Sequence, residues 1–111
     1  MILFFYIFYK DIESNCYSSD GKTLIQVTDP SPHLRISASC EVINDSCFSF
    51  LNSLATFTFA DTPNLTTIAK LSFSECVNLT IINLTMCSKL KIIEACAFYG
   101  CEKVSQILLP D

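Results

Sequence analysis

The side chains with the most reactive chemistry in this chain are seven cysteines and one histidine, spread over 111 residues. A cysteine hydrolase needs a thiol beside a histidine base, and His33 is the only histidine that could serve. It ends the run Asp29-Pro30-Ser31-Pro32-His33, which is typical of a turn. We therefore predict that His33 is a solvated loop residue and that the chain is not an enzyme.

Metal and cofactor binding has little support in the sequence. The chain has no Cys-x-x-Cys pair to begin a zinc site, and its two glycines could not build a glycine-rich phosphate loop. Its carboxylates are scattered through connecting positions and indicate a solvated rim: Glu41, Asp45, Glu75, Glu94 and Glu102. The sequence predicts no catalytic residue, no metal and no cofactor.

Two of the seven cysteines occupy a repeated apolar position. Cys76 and Cys101 follow Phe73 and Phe98 by three residues, where Leu51 stands after Phe48, so we expect buried thiols that act as small hydrophobic groups. Cys87 could also turn inward. An odd number of cysteines cannot all pair within one chain, although a disulfide or two would be possible in an exported protein.

Asparagine carries the other candidate chemistry. Four Asn-x-Ser/Thr sequences are glycosylation acceptors if the protein is exported, at Asn44, Asn64, Asn78 and Asn83. Repeated Asn-Leu-Thr is also what a repeat would give when polar residues flank a buried leucine. Both interpretations stay open.

These residues are positioned by a repeat of 25 residues. Phe48, Phe73 and Phe98 define the period, and apolar residues recur around them in step. Each unit carries apolar-x-x-apolar-x-apolar, a leucine-rich-repeat strand pattern, followed by the apolar pair of a returning side. The strand columns read Leu54, Phe57, Phe59, then Leu79, Ile82, Leu84, then Val104, Ile107, Leu109, and the returning pairs are Cys40 with Ile43, Leu65 with Ile68, and Leu90 with Ile93.

The repeat predicts a solenoid with short parallel strands on one side and irregular or single-turn helical segments on the other. An ordinary α+β domain with evenly spaced strands is the alternative, and the scarcity of glycine for hairpin turns disfavours it. Alternate strand residues should point away from the core and line up across the coils. They form an uncharged candidate binding face: Thr56, Thr58, Ile81, Asn83, Gln106 and Leu108.

Two segments resemble the Ala-Phe-x-x-Cys-x-x-Leu signature of BspA-like leucine-rich repeats. They are 73–79, Phe-Ser-Glu-Cys-Val-Asn-Leu, and 97–104, Ala-Phe-Tyr-Gly-Cys-Glu-Lys-Val, and the ending 107–110, Ile-Leu-Leu-Pro, is similar to that family's strand ending. Where the signature has alanine, the earlier units have Cys47 and Ser72. The resemblance implies a surface-exposed binding or adhesion module for a protein or glycan ligand. An intracellular interaction scaffold and a truncated, nonfunctional repeat copy are the alternatives.

The expected organisation has three parts. Residues 1–15 are an apolar segment that is a possible signal peptide, 16–35 a lead-in or cap, and 36–111 three repeats of about 36–60, 61–85 and 86–111, the last one incomplete. Ile107 and Leu109 should lie on an open end. A fragment of a longer stack, or self-association through this C-terminal end, would explain that surface.

The net charge and the apolar N-terminal run indicate which partners and which cellular location to expect. The net charge is −4, without a basic cluster, so nucleic acid is not an expected partner. The run Met1 to Tyr9 is too short for a transmembrane helix. It could be the core of a signal peptide or an aromatic strand that covers the first coil. We expect a cell-surface or secreted protein, with a cytoplasmic location as the alternative.

Overall fold

The computed structural model describes residues 7–111 and shows a solenoid of four stacked turns. Each turn has a strand of two to four residues on one side and a two-residue strand on the other. The strands are β1 (Lys10–Asp11), β2 (Thr23–Leu24), β3 (His33–Ile36), β4 (Val42–Ile43), β5 (Thr56–Phe59), β6 (Thr67–Ile68), β7 (Ile81–Asn83), β8 (Ile92–Ile93) and β9 (Gln106–Leu108). A 3-10 helix at Ser14–Cys16 is the only helix in this part of the chain.

The odd-numbered strands stack along one side, and we call their outward surface the strand face. They form a parallel sheet in the order β1-β3-β5 and a parallel pair β7-β9. The N–H of Thr80 donates to the carbonyl of Ala55 at 3.0 Å, just before β7 and β5 begin, but no ladder of paired residues follows among the described strands. The strand face is therefore divided between β5 and β7.

The even-numbered strands form the return side, a continuous parallel sheet in the order β2-β4-β6-β8. Leu24, Ile43, Ile68 and Ile93 occupy equivalent positions on it. The first three are fully buried, whereas Ile93 in the outermost strand is 41% exposed. The predicted solenoid with two sides is thus confirmed, and the predicted helical turns are tight turns.

A ladder of aromatic rings fills the interior. The ring of Phe48 stacks on that of Phe73 at 4.5 Å, and Phe73 stacks on Phe98 at 5.2 Å. The ring of Phe57, in β5, also stacks on that of Phe73, with the ring centres 4.9 Å apart. Phe48 and Phe73 have no exposed surface, so the period of 25 residues does mark the core.

Each ladder phenylalanine lies between two residues with left-handed backbone conformations. The first column is Ser46, Leu71 and Cys96, with φ of 57°, 60° and 59°, and the second is Phe50, Glu75 and Gly100, with φ of 62°, 58° and 77°. Glycine adopts this conformation without the steric penalty of a side chain, yet only one of the six is glycine. Backbone hydrogen bonds between coils hold the turn, including Phe48 N–H to Ser72 at 2.6 Å and Phe73 N–H to Ala97 at 2.8 Å.

The prediction that His33 lies in a loop was wrong, because His33 begins β3 and pairs with Thr56 in β5. The strand stack consequently extends upstream of residue 36 into the segment expected to be a lead-in. The 25-residue period misses this turn because Leu34 precedes Phe57 by only 23 residues. Three residues separate Ile36 from the buried Cys40, whereas five separate Phe59 from the equivalent Leu65.

The N-terminal end of the stack is formed by β1. Lys10 and Asp11 pair with Leu34 and Arg35, and Ile12 is only 6% exposed. The possible signal peptide lies partly outside the described residues, at 1–6. Removal of residues 1–15 would take β1 and Ile12 away from the first coil.

Candidate functional site

The strand face contains the six predicted binding residues on three strands. In β5 the buried Phe57 and Phe59 alternate with half-buried Thr56 and Thr58. This alternation follows from the two-residue period of a strand, which turns every second side chain away from the core. The register of β7 with β9 places Ile81 beside Gln106 and Asn83 beside Leu108. Outward residues of neighbouring coils therefore line up in two columns, as predicted from the period.

Strand β3 adds His33 to one end of this face. Its Nδ1 lies 2.7 Å from Oγ1 of Thr56. The hydroxyl of Thr56 also donates to that of Tyr9 at 3.4 Å, and the rings of Tyr9 and His33 meet edge to face at 5.9 Å. The three side chains form a polar and aromatic cluster on the face, which we call the Tyr9 cluster.

Arg35 extends the second column, because it pairs with Thr58 in the register of β3 and β5. Its Nε donates to Oδ1 of Asp11 at 2.6 Å, and both side chains are substantially exposed. The predicted columns carry no charge, but this upstream strand gives the face one ion pair. Exposed pairs of this kind contribute at most about 1 kcal/mol to folding, so Arg35 remains available to a partner.

The other half of the face, on β7 and β9, has no charged side chain among its strand residues. Ile81 and Leu108 are half-buried, whereas Gln106 and Asn83 are exposed. The Oδ1 of Asn83 accepts from the N–H of Thr85 at 3.1 Å and from its hydroxyl at 2.7 Å. The break between β5 and β7 thus separates an aromatic, charged half from an amide and aliphatic half.

The fixed period did not place His33 or Arg35 on this face, and Tyr9 was assigned to the possible signal peptide. A signal was present, since His33-Leu34-Arg35-Ile36 alternates polar and apolar residues as Thr56-Phe57-Thr58-Phe59 does. Allowing a turn that is two residues shorter would have found the strand.

Two of the four candidate glycosylation asparagines have side chains engaged between coils. The Nδ2 of Asn64 donates to Ala38 O at 2.9 Å, and its Oδ1 accepts from Lys89 at 2.6 Å. Asn78 repeats the arrangement, with Asn52 O at 2.6 Å and Lys103 at 2.9 Å. Of the other two, Asn44 is half-buried and Asn83 exposed.

The thiols are mostly interior groups, as predicted for Cys76. Cys76 is fully buried and Cys101 half-buried, and their Sγ atoms donate to the carbonyls of Phe48 and Phe73 at 3.1 and 3.2 Å. Burial raises the pKa of Cys76 to about 12. Cys87 does turn inward, and burial raises its pKa to about 11. These thiols are therefore protonated at neutral pH and lack the thiolate that a nucleophile requires.

Within residues 7–111, no three His, Cys, Asp or Glu side chains gather where they could hold a metal ion. None of the helical structure in the same range has the length and apolar character needed to cross a membrane.

Comparison with known proteins gives one match. The sequence model of the BspA type leucine rich repeat region matches residues 10–111 in six copies. The match begins at β1 and includes the upstream turn that the 25-residue period missed. No curated protein and no solved structure matches the chain.

Proposed function

Because the chain belongs to the BspA-type leucine-rich repeat family, we propose that it is a non-enzymatic binding module whose ligand contacts the strand face. Leucine-rich repeats generally serve as protein-interaction modules, which makes a protein the first choice of partner and a glycan the second. The observation that carries the proposal is the register of the odd-numbered strands, which aligns outward side chains into columns while the apolar side chains between them form the core.

The Tyr9 cluster is the strongest candidate for the centre of contact. Tyrosine and arginine are enriched among residues that dominate binding energy, and Arg35 lies two residues from His33 on the same strand. The imidazole and the two hydroxyls supply hydrogen bonds beside an aromatic ring. The half formed by Ile81 and Gln106 supplies apolar and amide contacts at the other end.

The test uses purified full-length chain on a protein array and a glycan array. Charge is introduced at Ile81→Glu with Gln106→Glu in one variant, and contacts are removed by His33→Ala with Arg35→Ala in another. Each should weaken capture at least tenfold, as expected when a contact of about 1.4 kcal/mol is lost. Lys70→Glu, an exposed change in a turn away from the strand face, is the control.

Unchanged capture by both double variants, with native circular dichroism spectra, would remove the strand face from consideration. Loss of capture in Lys70→Glu alone would move the site to the turns.

On the basis of the family resemblance, we also propose that the binding module acts in adhesion at a cell surface. Labelling of intact native cells with a membrane-impermeant amine reagent should modify Lys89 or Lys103 if the protein is exposed outside the cell. Labelling that requires cell lysis would favour the intracellular scaffold instead.

Modification at Asn83 is compatible with the fold, because its side chain is exposed and its Nδ2 makes no hydrogen bond with the described residues. A glycan there would obstruct the part of the strand face formed by β7 and β9. A glycan at Asn64 or Asn78 would break the bonds between coils. In an exported protein we expect a glycosidase-sensitive mobility shift that Asn83→Gln abolishes. A shift that survives this substitution would contradict the assignment.

We also propose self-association through exposed apolar side chains of the last two strands and the residue that follows them: Ile92, Ile93, Ile107 and Leu109, each 41–57% exposed. Burial of such a surface is favourable at roughly 25 cal/mol per Å². Sedimentation should show a dimer that Ile107→Asp with Leu109→Asp dissociates. A monomer at all concentrations would exclude this contact.

A further inference from the structure

A pocket of about 390 Å³ lies at the rim of the N-terminal coils, apart from the strand face. It is formed where the chain leaves β1, where it turns before β2, and where it leaves β3. Ile12 and Tyr17 supply its apolar surface, and the remaining lining residues are Ser14, Ser18, Ser19, Gly21, Ser37 and Ser39. The pocket therefore combines one aromatic ring and one aliphatic side chain with six hydroxyl groups, five from serines and one from Tyr17.

The hydroxyl of Tyr17 has hydrogen-bonding capacity left for a ligand. Its oxygen accepts from the backbone N–H of Ser37 at 2.9 Å, and its own hydrogen has no acceptor among the described residues. Burial raises the pKa of Tyr17, so the group stays a donor at neutral pH.

The serines on the two rims offer further donors and acceptors. Ser37 and Ser39 bring their Oγ atoms to 3.2 Å, and Ser39 donates onward to the carbonyl of Gly21 at 3.3 Å. This direction leaves lone pairs of Ser37 free. The side chains of Ser14 and Ser19 are exposed and make no hydrogen bond with the described residues.

Charge limits the class of ligand. None of the lining residues is charged, and the adjacent Asp20 carboxylate, which accepts from Ser18 and from the N–H of Lys22, lies beside the oppositely charged Lys22 side chain, so the neighbouring charges offset each other. A charged ligand would lose hydration without gaining a counter-charge. A neutral polyhydroxyl ligand matches both the hydroxyl lining and the apolar side chains.

We propose that this pocket binds one neutral sugar unit, a hexose or an N-acetylhexosamine, with a ring face against Tyr17 and hydroxyls paired with Ser14, Ser19 and Ser37. The volume is at the small end of the range for ligand pockets, which suits a single ring. This site is separate from the strand face, and its failure would leave the proposed binding there unaffected.

The experiment follows backbone amide signals of the labelled full chain during titration with glucose, galactose, mannose and N-acetylglucosamine. At least one sugar should shift the amides of Ser19, Gly21 and Ser37 with a dissociation constant on the order of 1 mM, as expected for a ligand of this size. Ser14→Ala with Ser19→Ala should weaken binding about tenfold, since neither hydroxyl supports the fold. Ser88→Ala, an exposed serine elsewhere, should change nothing.

A second variant, Ser14→Trp, fills the pocket and should abolish the shifts. Binding retained in both pocket variants would overturn the proposal, as would shifts confined to other amides. Absence of any shift at concentrations tenfold above that constant would also overturn it. Stronger binding of glucose 6-phosphate than of glucose would replace the neutral ligand by an anionic one.

Discussion

The first and last strands of the stack differ in how far the apolar side chains in or next to them are buried. At the N-terminal end, β1 covers β3, Ile12 is 6% exposed, and Lys10 reaches Asp29 in an ion pair of 2.7 Å. At the C-terminal end, β9 is the outermost strand and its Ile107 is 54% exposed. The first coil is covered by a short strand that makes two ion pairs, whereas apolar side chains of the last strand are exposed.

Equivalent positions in neighbouring coils differ in exposure. Ile82 has no exposed surface, although Ile107 has the same side chain one coil later in the same column. Leu84 is likewise fully buried, whereas Leu109 is 57% exposed. In a solenoid a residue's contribution to stability comes from the coils on either side of it. Identical substitutions should therefore have different effects according to the coil that carries them.

The largest contrast is expected along the phenylalanine ladder. Phe73→Ala removes a ring that stacks on three others, and it should lower the free energy of unfolding by about 3–5 kcal/mol. Phe98 is half-buried and stacks on Phe73 only, so Phe98→Ala should lower it by about half as much or less. Urea denaturation monitored by circular dichroism gives both values.

If Phe73→Ala does not fold, Phe73→Leu and Phe98→Leu provide the same comparison with smaller losses. Equal losses at the two positions would show that the outer coil is packed as tightly as the inner one.

The two ends can be compared directly with one substitution type. Ile12→Ala should lower the free energy of unfolding by about 2 kcal/mol, because the side chain is buried. Ile107→Ala should lower it by about 0.5 kcal/mol or less, as for exposed positions. Thermal denaturation at low protein concentration, where self-association is absent, measures both. A larger effect at Ile107 would mean that the C-terminal end is covered in solution.

A smaller effect of opposite sign is expected inside the stack. The Oγ of Ser72 is buried without a hydrogen-bond partner among the described residues, while Ala97 holds the same place in the next coil. Ser72→Ala should raise the free energy of unfolding by about 1 kcal/mol, because it removes an unpaired buried hydroxyl. Ser74→Ala is the control, since its hydroxyl bonds Ser49 at 2.7 Å and its loss should destabilise the protein. Stabilisation by both changes would mean that the hydroxyl's partner does not matter.

The sequence predicted those parts of the fold that depend on a fixed period. Phe73, Cys76 and Ile82 were placed in the core because apolar residues recur at their positions, and all three are fully buried. The exposure of Ile107 in this chain was also predicted. Burial is predictable here because each coil packs against an equivalent coil.

Features that depend on turn length and on contacts between coils could not be predicted from the period of 25 residues. His33 was misplaced because a turn shorter by two residues changed the spacing. The bonds of Asn64 and Asn78 to neighbouring coils depend on distances that only the stack defines. The pocket lined by Tyr17 and five serines brings residues 12–21 together with Ser37 and Ser39, which come later in the chain, so no single local motif marks it.

The smallest expected difference between the first and last strands is in their stability at acid pH. The ion pair with Lys10 and the N–H of Ser31 lower the pKa of Asp29 from 3.8 to about 2. A carboxyl group with a lowered pKa in the folded state stabilises the fold above its unfolded value. That contribution should therefore be complete above about pH 4 and should be lost progressively as the pH falls toward 2. The hydrogen-exchange protection factors of the β1 amides, which are corrected for the intrinsic exchange rate at each pH, should fall over this interval more than those of β9, where no such pair contributes. Asp29→Asn should remove the extra acid sensitivity of β1, and an equal loss of protection in β1 and β9 of the unmodified chain would show that the pair does not hold β1 in place.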